Sequence, residues 1–240
     1  MESFNKLLKN RSTLVFLDFE GTQFSHEIIA IGAVKVVLSN GVISDEYSSF
    51  KRYVKSYGPI GKIVSSMTSI DNQTLIQYGI TLEQMFDEFK DFVGEDFSSC
   101  AFIVFGTNDV KMIIDSIKLS SPRNEKIGID ICKNTIDFLA FISQYIRDEN
   151  DNNYSLVNYL KLFNIEPFGQ SHDPLNDAVD LMNLTRAFLN DNEIKNKEYR
   201  QILKKQKIYP QPVKRIINRL LNGETITPED FDKEIDKYLE

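Results

Sequence analysis

Two carboxylates, Asp18 and Glu20, end an apolar run near the start of the chain. The run, TLVFLDFE over residues 13–20, is rich in β-branched and aromatic residues and predicts a buried strand. Side chains two apart on a strand point to the same face, so the two acids would repel each other and lose hydration on burial. A divalent cation with oxygen ligands, such as Mg²⁺, would offset that cost. The alternative is a strand that ends in solvent, with both acids hydrated.

A histidine and an aspartate flank the predicted start of a late helix. His172 precedes Asp173-Pro174, a pair typical of a helix entry with aspartate as the cap and proline in the first turn. Asp177 would then meet His172 across that entry, as hydrophobic staple residues do. The only other histidine, His26, lies in a polar loop, so His172 is the better candidate for a general base. A surface His–Asp pair is the alternative.

Asp109 stands between a predicted strand, AFIVFG over residues 101–106, and a predicted helix. Taken alone, an aspartate at that junction is best interpreted as a helix N-cap. Its position in the chain makes it a candidate site residue, because it lies between the acids at the end of the first strand and the late helix next to His172.

In that order the three clusters resemble the motifs of the DEDD exonuclease superfamily. Its DnaQ-like 3′→5′ exonucleases include RNase T, oligoribonuclease and the proofreading subunit of bacterial DNA polymerase III. The matching segments are DFEGT from Asp18, FGTND ending at Asp109, and HDPLNDA from His172. A histidine five residues before the last aspartate is typical of the histidine branch, DEDDh. The resemblance covers residues 12–190.

The resemblance implies an RNase H-like fold and a 3′→5′ exonuclease that releases nucleoside 5′-monophosphates. Two divalent ions, Mg²⁺ or Mn²⁺, would be held by Asp18, Glu20 and Asp177 at one position and by Asp18 and Asp109 at the other, and His172 would be the general base. Residues just after the first motif would contact the terminal base, namely Thr22, Gln23 and Phe24.

Two function classes remain open from the sequence. One is an exonuclease acting on a single-stranded 3′ end, with DNA and RNA equally open. The other is a non-catalytic module that binds a nucleic-acid 3′ end or a protein on the same fold. The complete set of four acids and a histidine favours the enzyme.

The elements that position these residues follow from periodicity. Strands are predicted over residues 13–20, 28–38, 42–50 and 101–106, with Asn40-Gly41 as a hairpin turn. A further short strand is predicted over 126–132. Helices are predicted over 81–94, 110–119, 135–146, 155–162 and 174–189. This order predicts an α/β domain with a mixed sheet, an antiparallel three-stranded start and helices on both faces.

Charge divides the 240-residue chain into two parts. The net charge is −7, yet residues 195–219 hold nine basic residues against Glu198, so this basic segment alone is +8. We expect an exonuclease domain over 1–190 and a helical C-terminal appendix over 191–240. The basic segment is interpreted either as a track for nucleic acid or as a solvated helix face, and the appendix as a surface for a protein partner or a homodimer.

Two cysteines without a CxxC pair, no secretion signal and no membrane-spanning run predict a cytoplasmic protein.

Overall fold

The computed structural model describes residues 2–205 and 208–239. These residues form two compact units. One consists of the described residues up to Phe141 together with Tyr154–Asn190, and the other of Ile142–Asn153 together with the described residues from Asp191 onward. None of the described helices has the length and apolar character needed to cross a membrane.

The first unit is built on a mixed sheet. Its described strands are β1 (Thr13–Gly21), β2 (Ile28–Ser39), β3 (Val42–Ile43), β4 (Ser48–Tyr53), β5 (Ala101–Val104) and β6 (Thr135–Asp137). The order is β3-β2-β1-β5-β6, and β4 also pairs with β2. β1, β2, β3 and β4 pair antiparallel, whereas β5 and β6 run parallel to β1. The predicted mixed sheet with an antiparallel start is therefore confirmed.

Helices surround this sheet in chain order. In the first unit they are α1 (Glu2–Leu8), α2 (Lys62–Thr68), α3 (Asn72–Tyr78), α4 (Leu82–Val93), α5 (Asn108–Ser120), α6 (Glu125–Lys133), α8 (Leu156–Leu162) and α9 (Pro174–Asn190). α7 (Phe138–Ile142) follows β6 directly, and a 3₁₀ turn spans Gly94–Ser98. The sequence pattern did not predict α1, α2 or α3, which are all short.

The alternation of side chains along β1 and β2 separates the two faces of the sheet. Leu17 and Phe19 join the apolar core formed with α4, α5 and α6, and so does Ile31 of β2. Gly32, the next residue of β2, faces the other way and lies against α9, where a Cβ would come within 2.0 Å of the Pro174 carbonyl carbon. Helices thus cover both faces, and Gly32 permits the start of α9 to approach the sheet.

Residues 126–132 form part of α6, so the predicted short strand is wrong. The alternation of Ile127, Ile129 and Ile131 suggested a strand, but the buried residues are Ile127, Gly128 and Ile131, which share a helix face. Gly128 fits against the Phe86 ring, since a Cβ there would lie 2.7 Å from its Cζ atom. Packing against α4 and α5 overrides the local pattern.

The predicted helix over 135–146 is also wrong in its first part. Thr135–Asp137 form β6, because the β-branched Thr135 and Ile136 find a free edge of the sheet beside β5. The Asp137 carboxylate then ends the strand by accepting hydrogen bonds from Gly106 N (3.0 Å) and Ala140 N (3.1 Å). The predicted third strand, 42–50, is divided into β3 and β4 by a polar break at residues 44–47.

The second unit contains α10 (Asn192–Lys205), α11 (Gln211–Leu221) and α12 (Pro228–Leu239). The Tyr145 and Tyr199 rings pack 5.8 Å apart, and Lys205 Nζ donates to the carbonyls of Asp148 and Glu149. Residues 142–153 therefore cluster with the C-terminal helices, whereas the predicted domain boundary lies at residue 190.

Two arginines of the basic segment are neutralised inside the second unit. Arg215 pairs with Glu234 of α12 at 3.2 Å, and Arg219 pairs with Glu224 at 2.8 Å and Asp230 at 3.6 Å. The positive charge that remains exposed on α10 comes from Lys197, Arg200 and Lys204 among others.

Candidate active site

Asp18 and Glu20 lie near the end of β1 on the face covered by α9. Asp18 is opposite Gly32 in the β1–β2 ladder, and the pairing is interrupted by a bulge just after Glu20. Both side chains are partly buried. The alternative interpretation, a strand that ends in open solvent, does not fit this burial. The strand therefore presents two carboxylates side by side beneath the start of α9.

Asp109 reaches β1 from the opposite layer. It is the second residue of α5, is 4% exposed, and accepts a hydrogen bond from Phe19 N through Oδ1 at 3.0 Å. The N-cap position belongs to Thr107. Asp109 is thus not a helix cap: its side chain is committed to the strand that carries the first two acids.

His172 and Asp177 meet at the start of α9. His172 adopts a left-handed backbone conformation, φ +65°, and its N–H donates to Asp177 Oδ2 at 3.0 Å. Its Nδ1 atom lies 3.9 Å from Glu20 Oε1, and its side chain is 47% exposed. Glu20, His172 and Asp177 each offer a potential metal-ligand atom, all within 4.8 Å of one another. Among the described residues this is the candidate metal-binding group.

Burial and mutual repulsion make the carboxylates unusually basic. Burial, with the charges of Asp109, Asp177 and Glu20, raises the pKa of Asp18 well above its usual range. Burial, followed by the charge of Asp177, raises the pKa of Glu20 to about 8. Charged carboxylates are therefore costly here unless a cation accompanies them.

The same effect acts on the other two acids, where hydrogen bonds oppose it. Burial raises the pKa of Asp109 to about 7 although the Phe19 N–H lowers it, and burial raises the pKa of Asp177 to about 6 although the His172 N–H lowers it. The four acids thus form one electrostatically linked cluster contributed by β1, α5 and α9. Its oxygen ligands are of the type that Mg²⁺ and Mn²⁺ prefer.

Lys51 of β4 is a cation beside this cluster. Its Nζ atom forms an ion pair with Asp173 Oδ2, while Asp173 Oδ1 caps α9 by accepting from Leu175 N at 3.1 Å. Lys51 is opposite Gly32, which is in turn opposite Asp18, so the three residues form a row across neighbouring strands. The sheet therefore fixes the start of α9 both by close contact at Gly32 and by an ion pair at its cap.

The predicted substrate-contact residues lie in the loop after β1, in three different environments. Thr22 is 2% exposed, and its hydroxyl bonds Ser25 Oγ at 2.8 Å and accepts from Glu27 N at 3.0 Å. Its side chain thus shapes the loop and is not open to a ligand. Gln23 Oε1 accepts from the backbone N–H of Ile63, in the first turn of α2, at 3.3 Å.

Phe24 projects from the same loop with 73% of its surface exposed. It is therefore a loop aromatic and not part of the core. His26, two residues further on, donates its backbone N–H to Thr22 O at 3.2 Å and contributes to the loop turn.

Sequence reasoning missed three side chains that contact the segment around His172. Lys51 pairs with Asp173, Asn176 donates to Gln170 O, and Asp180 accepts from Phe168 N. The available signal for Asp180 was a charged residue between the apolar residues Val179 and Leu181, three positions after Asp177 on a helix. Asp180 is 3% exposed and accepts from Phe168 N at 2.8 Å. No comparable signal marked Lys51, whose contact with Asp173 joins residues distant in the chain.

Comparisons with known proteins identify a family and a fold. The RNase_T family model, described as "Exonuclease", matches residues 15–185. The nuclease domain of 3′hExo, described as a DEDDh family member bound to rAMP, has a TM-score of 0.63 and 18% identity, covering 76% of this chain and 94% of that one. A full-length 3′-exonuclease has a TM-score of 0.60 and 16% identity, covering 75% of this chain and 61% of that one.

Cell-death related nuclease 4 (CRN-4) gives a TM-score of 0.58 at 18% identity, covering 75% of this chain and 64% of that one. This chain thus spans less than two thirds of the length of two of these structures. No curated protein sequence matches. At such low identity the likeness shows the fold, and it confirms the predicted RNase H-like architecture. The family match confirms the predicted resemblance to RNase T-like exonucleases.

Proposed function

Because this chain belongs to the RNase_T exonuclease family, we propose that it is a metal-dependent 3′→5′ exonuclease. It would hydrolyse phosphodiester bonds at the 3′ end of single-stranded DNA or RNA and release nucleoside 5′-monophosphates. The observation that carries the proposal is the convergence of four carboxylates and one histidine from separate segments. The raised pKa values of the four carboxyls support a site that is unfavourable until positive charge enters it.

The carboxylates suit a pair of divalent cations, Mg²⁺ or Mn²⁺. Asp18, Glu20 and Asp177 would hold one, and Asp18 and Asp109 the other. When bound, the ions would neutralise the charge that develops on the scissile phosphate. The fit is supported by hard oxygen donors that repel one another, since a cation lowers the pKa of each carboxyl and removes the repulsion.

His172 would accept the proton of the attacking water. Its partly exposed ring can reach solvent, while its backbone is held by Asp177. Asp177 would therefore have two roles: its charge would help to hold a cation, and its hydrogen bond to His172 N would fix the backbone of the general base. A base at this position is expected to contribute about 10²–10⁴-fold to the rate.

The loop after β1 would receive the terminal nucleotide. Phe24 offers an exposed aromatic face on which a base can stack, a contact that tolerates any base and contributes about 1–3 kcal/mol. Gln23 would support it from beside the first turn of α2. Thr22 would act through the loop conformation that its buried hydroxyl maintains.

A strand-shortening assay tests polarity and substrate together. The full-length protein is incubated with Mg²⁺ or Mn²⁺ and a 5′-labelled single-stranded DNA, the matching RNA, or a duplex with a 3′ overhang. We expect a ladder that shortens from the 3′ end and stalls at the duplex. Tight binding of the 3′ end without shortening of any substrate would instead identify a non-catalytic binding module.

A further inference from the structure

The loop that carries His172 is attached to α9 by three side chains of the helix. Asp180 Oδ1 accepts from Phe168 N at 2.8 Å, and Asn176 Nδ2 donates to Gln170 O at 3.2 Å. Asp177 accepts from His172 N at 3.0 Å. Position 180 lies four residues after 176 and three after 177, so Asp180 is a neighbour of both side chains on the surface of α9. We call residues 168–172 the His172 loop. The three side chains bind its backbone at Phe168 N, Gln170 O and His172 N.

Asp180 is the most deeply buried of these three contacts. It is 3% exposed, although aspartate is rarely buried without a partner. Burying a carboxylate is costly unless it accepts hydrogen bonds, and the Phe168 N–H donates one to Asp180. The buried Asp180 carboxyl is therefore hydrogen-bonded to the loop.

Gly169 shows how closely the loop approaches α9. A Cβ at this position would lie 2.5 Å from Asn176 Nδ2. The loop backbone at Gly169 is therefore in close contact with the Asn176 side chain of α9. A displacement of residues 168–170 would be transmitted along the short remaining segment to His172.

We propose that Asp180, assisted by Asn176, is a positioning residue for His172. By fixing the backbone at Phe168 and Gln170, the two side chains hold the His172 loop so that the ring stays beside Glu20 and Asp177. Asp180 acts only through the general base. The inference rests on the proposed function, because its readout is the rate of strand cleavage.

The expected effect follows from the conformation of His172. A non-glycine residue at φ +65° is held there by its surroundings, and Asp177 supplies a single hydrogen bond. Without the attachment at Phe168, the loop is expected to relax and carry the ring away from its working position. A displacement of about 1 Å at a catalytic group can cost about 10²-fold in rate.

Two substitutions of Asp180 separate hydrogen bonding from packing. Asp180→Asn keeps an oxygen acceptor for Phe168 N–H and should retain kcat within about 3-fold. Asp180→Leu keeps the approximate shape and removes the acceptor, and it should lower kcat by about 10- to 100-fold with little change in KM. The Phe168 N–H loses its acceptor, so the melting temperature should fall slightly whether or not Asp180 positions His172. The coupling to His172, and not the melting temperature, therefore decides the role.

A double-mutant cycle with His172→Ala tests whether Asp180 acts through the histidine. In the His172→Ala background, Asp180→Leu should change the residual rate by less than about 3-fold, since the group it positions is already absent. Thr185→Val is the matched control, because Thr185 is also buried on α9 but its hydroxyl donates to Leu181 O within the helix. It should leave kcat unchanged in both backgrounds.

The same fold-loss from Asp180→Leu with and without His172 would overturn the inference, and so would an unchanged kcat. If Asp180→Leu does not fold, Asn176→Ala replaces it in the cycle, with an expected loss of about 3- to 10-fold that again disappears without His172. A wild-type protein that cleaves nothing would contradict the proposed function. An active wild type with an additive cycle would contradict only the role of Asp180.

Discussion

At the level of single residues, the fold holds several carboxyl groups close together around Glu20, where their charged forms repel one another. Glu20, His172 and Asp177 bring potential ligand atoms within 4.8 Å, and Asp18 and Asp109 add their charges. A protein can hold like charges this close when the rest of the fold fixes their backbone. Here the antiparallel β1–β2 pair and the cap of α9 provide that support.

The two histidines provide a test with an internal control. His172→Ala should lower turnover by about 10²–10⁴-fold with much less effect on substrate binding, because a general base contributes to the chemical step. His26→Ala should have little effect, although His26 also has a positive φ, of 55° against 65° for His172. Single-turnover cleavage and binding of a labelled strand measure both quantities.

The pH profile belongs to the same test. Only the unprotonated imidazole accepts a proton, so wild-type turnover at saturating Mg²⁺ should rise as pH increases, and this rise should disappear in His172→Ala. Equal effects of the two alanine substitutions would contradict the assignment of His172.

The acid cluster predicts a pH-dependent instability of the metal-free protein. The folded-state pKa of Glu20 is raised from 4.5 to about 8, and that of Asp109 from 3.8 to about 7. Between the ordinary and raised values, the folded state holds protons that the unfolded state has released. The contribution of these carboxyls to stability is therefore greatest in acid and declines as the pH rises through this window.

Asp18→Asn should reduce that decline, because it removes one charge from the cluster. In EDTA its melting temperature should exceed that of wild type by several degrees at about pH 8 and by less at about pH 5. Asp115→Asn, on α5 but paired with Lys118 at 3.6 Å, is the control and should show no such pH dependence. A destabilised Asp18→Asn protein at high pH would contradict the electrostatic interpretation.

The residues of the candidate site could be recognised in the sequence because their motifs are local. Asp18 and Glu20 follow one strand, and His172 and Asp177 flank one helix entry. The role of Asp109 was less evident, since its bond to Phe19 N joins residues 90 positions apart. Lys51 was missed for the same reason, because a lysine on a strand carries no local pattern that indicates a distant partner. Asp180 carried a local signal, a charge between two apolar residues, but nothing in the sequence indicated its bond to Phe168 N.

At the scale of elements, the site depends on how closely α9 approaches β2. Gly32→Ala should displace the start of α9, because the new Cβ would lie 2.0 Å from the Pro174 carbonyl carbon. We expect a loss of stability of about 1–3 kcal/mol from overpacking, together with weaker Mn²⁺ binding, since Asp177 and His172 move with the helix. Denaturant unfolding and calorimetric Mn²⁺ titration measure the two effects.

Gly128→Ala is the matched control for Gly32→Ala. It overpacks the opposite layer, where a Cβ would lie 2.7 Å from Phe86 Cζ and 2.8 Å from Ile117 Cδ1. A similar loss of stability with unchanged Mn²⁺ affinity is expected there. Equal loss of Mn²⁺ affinity in both variants would show that the contact at Gly32 has no special role.

The elements that could be predicted are those in which the apolar residues of the sequence pattern are also the residues buried in the structure. In α4, Leu82, Met85, Phe86, Phe89 and Val93 are all buried at helical spacing, and Thr81 caps the helix with Gln84. The secondary-structure predictions were wrong where the local sequence fits both helix and strand and tertiary packing determines which one forms. Residues 126–132 became helix against α4 and α5, and residues 135–137 became a strand at the free edge beside β5.

At the scale of the whole molecule, charge is distributed unevenly along the chain. The net charge is −7, while Lys197, Arg200 and Lys204 form an exposed basic stripe at a spacing of three and four residues on α10. Such residues can bind phosphates without reading sequence. The stripe is therefore the part of the basic segment that we expect to bind a long strand, since Arg215 and Arg219 are paired within the second unit.

Replacing all three stripe residues by alanine should weaken binding of a long single strand and leave cleavage of a dinucleotide unchanged. Loss of three phosphate contacts should flatten the dependence of log affinity on log salt by about 2, at about 0.7 per contact. The control replaces Lys90, Lys118 and Lys133, which are exposed lysines of the first unit. An unchanged salt slope in the stripe variant would show that α10 is a solvated face or a protein-binding surface.

We propose that the converged carboxylates bind the divalent cations that the protein needs to remove the 3′-terminal nucleotide. The most direct measurement follows release of that nucleotide from a 3′-end-labelled single strand, in EDTA and during titration with Mg²⁺ or Mn²⁺, for wild type and Asp18→Asn. We predict a nucleoside 5′-monophosphate product from wild type that requires the divalent ion, and no product from a folded Asp18→Asn protein. Full release in excess EDTA, or undiminished release by Asp18→Asn, would contradict the claim.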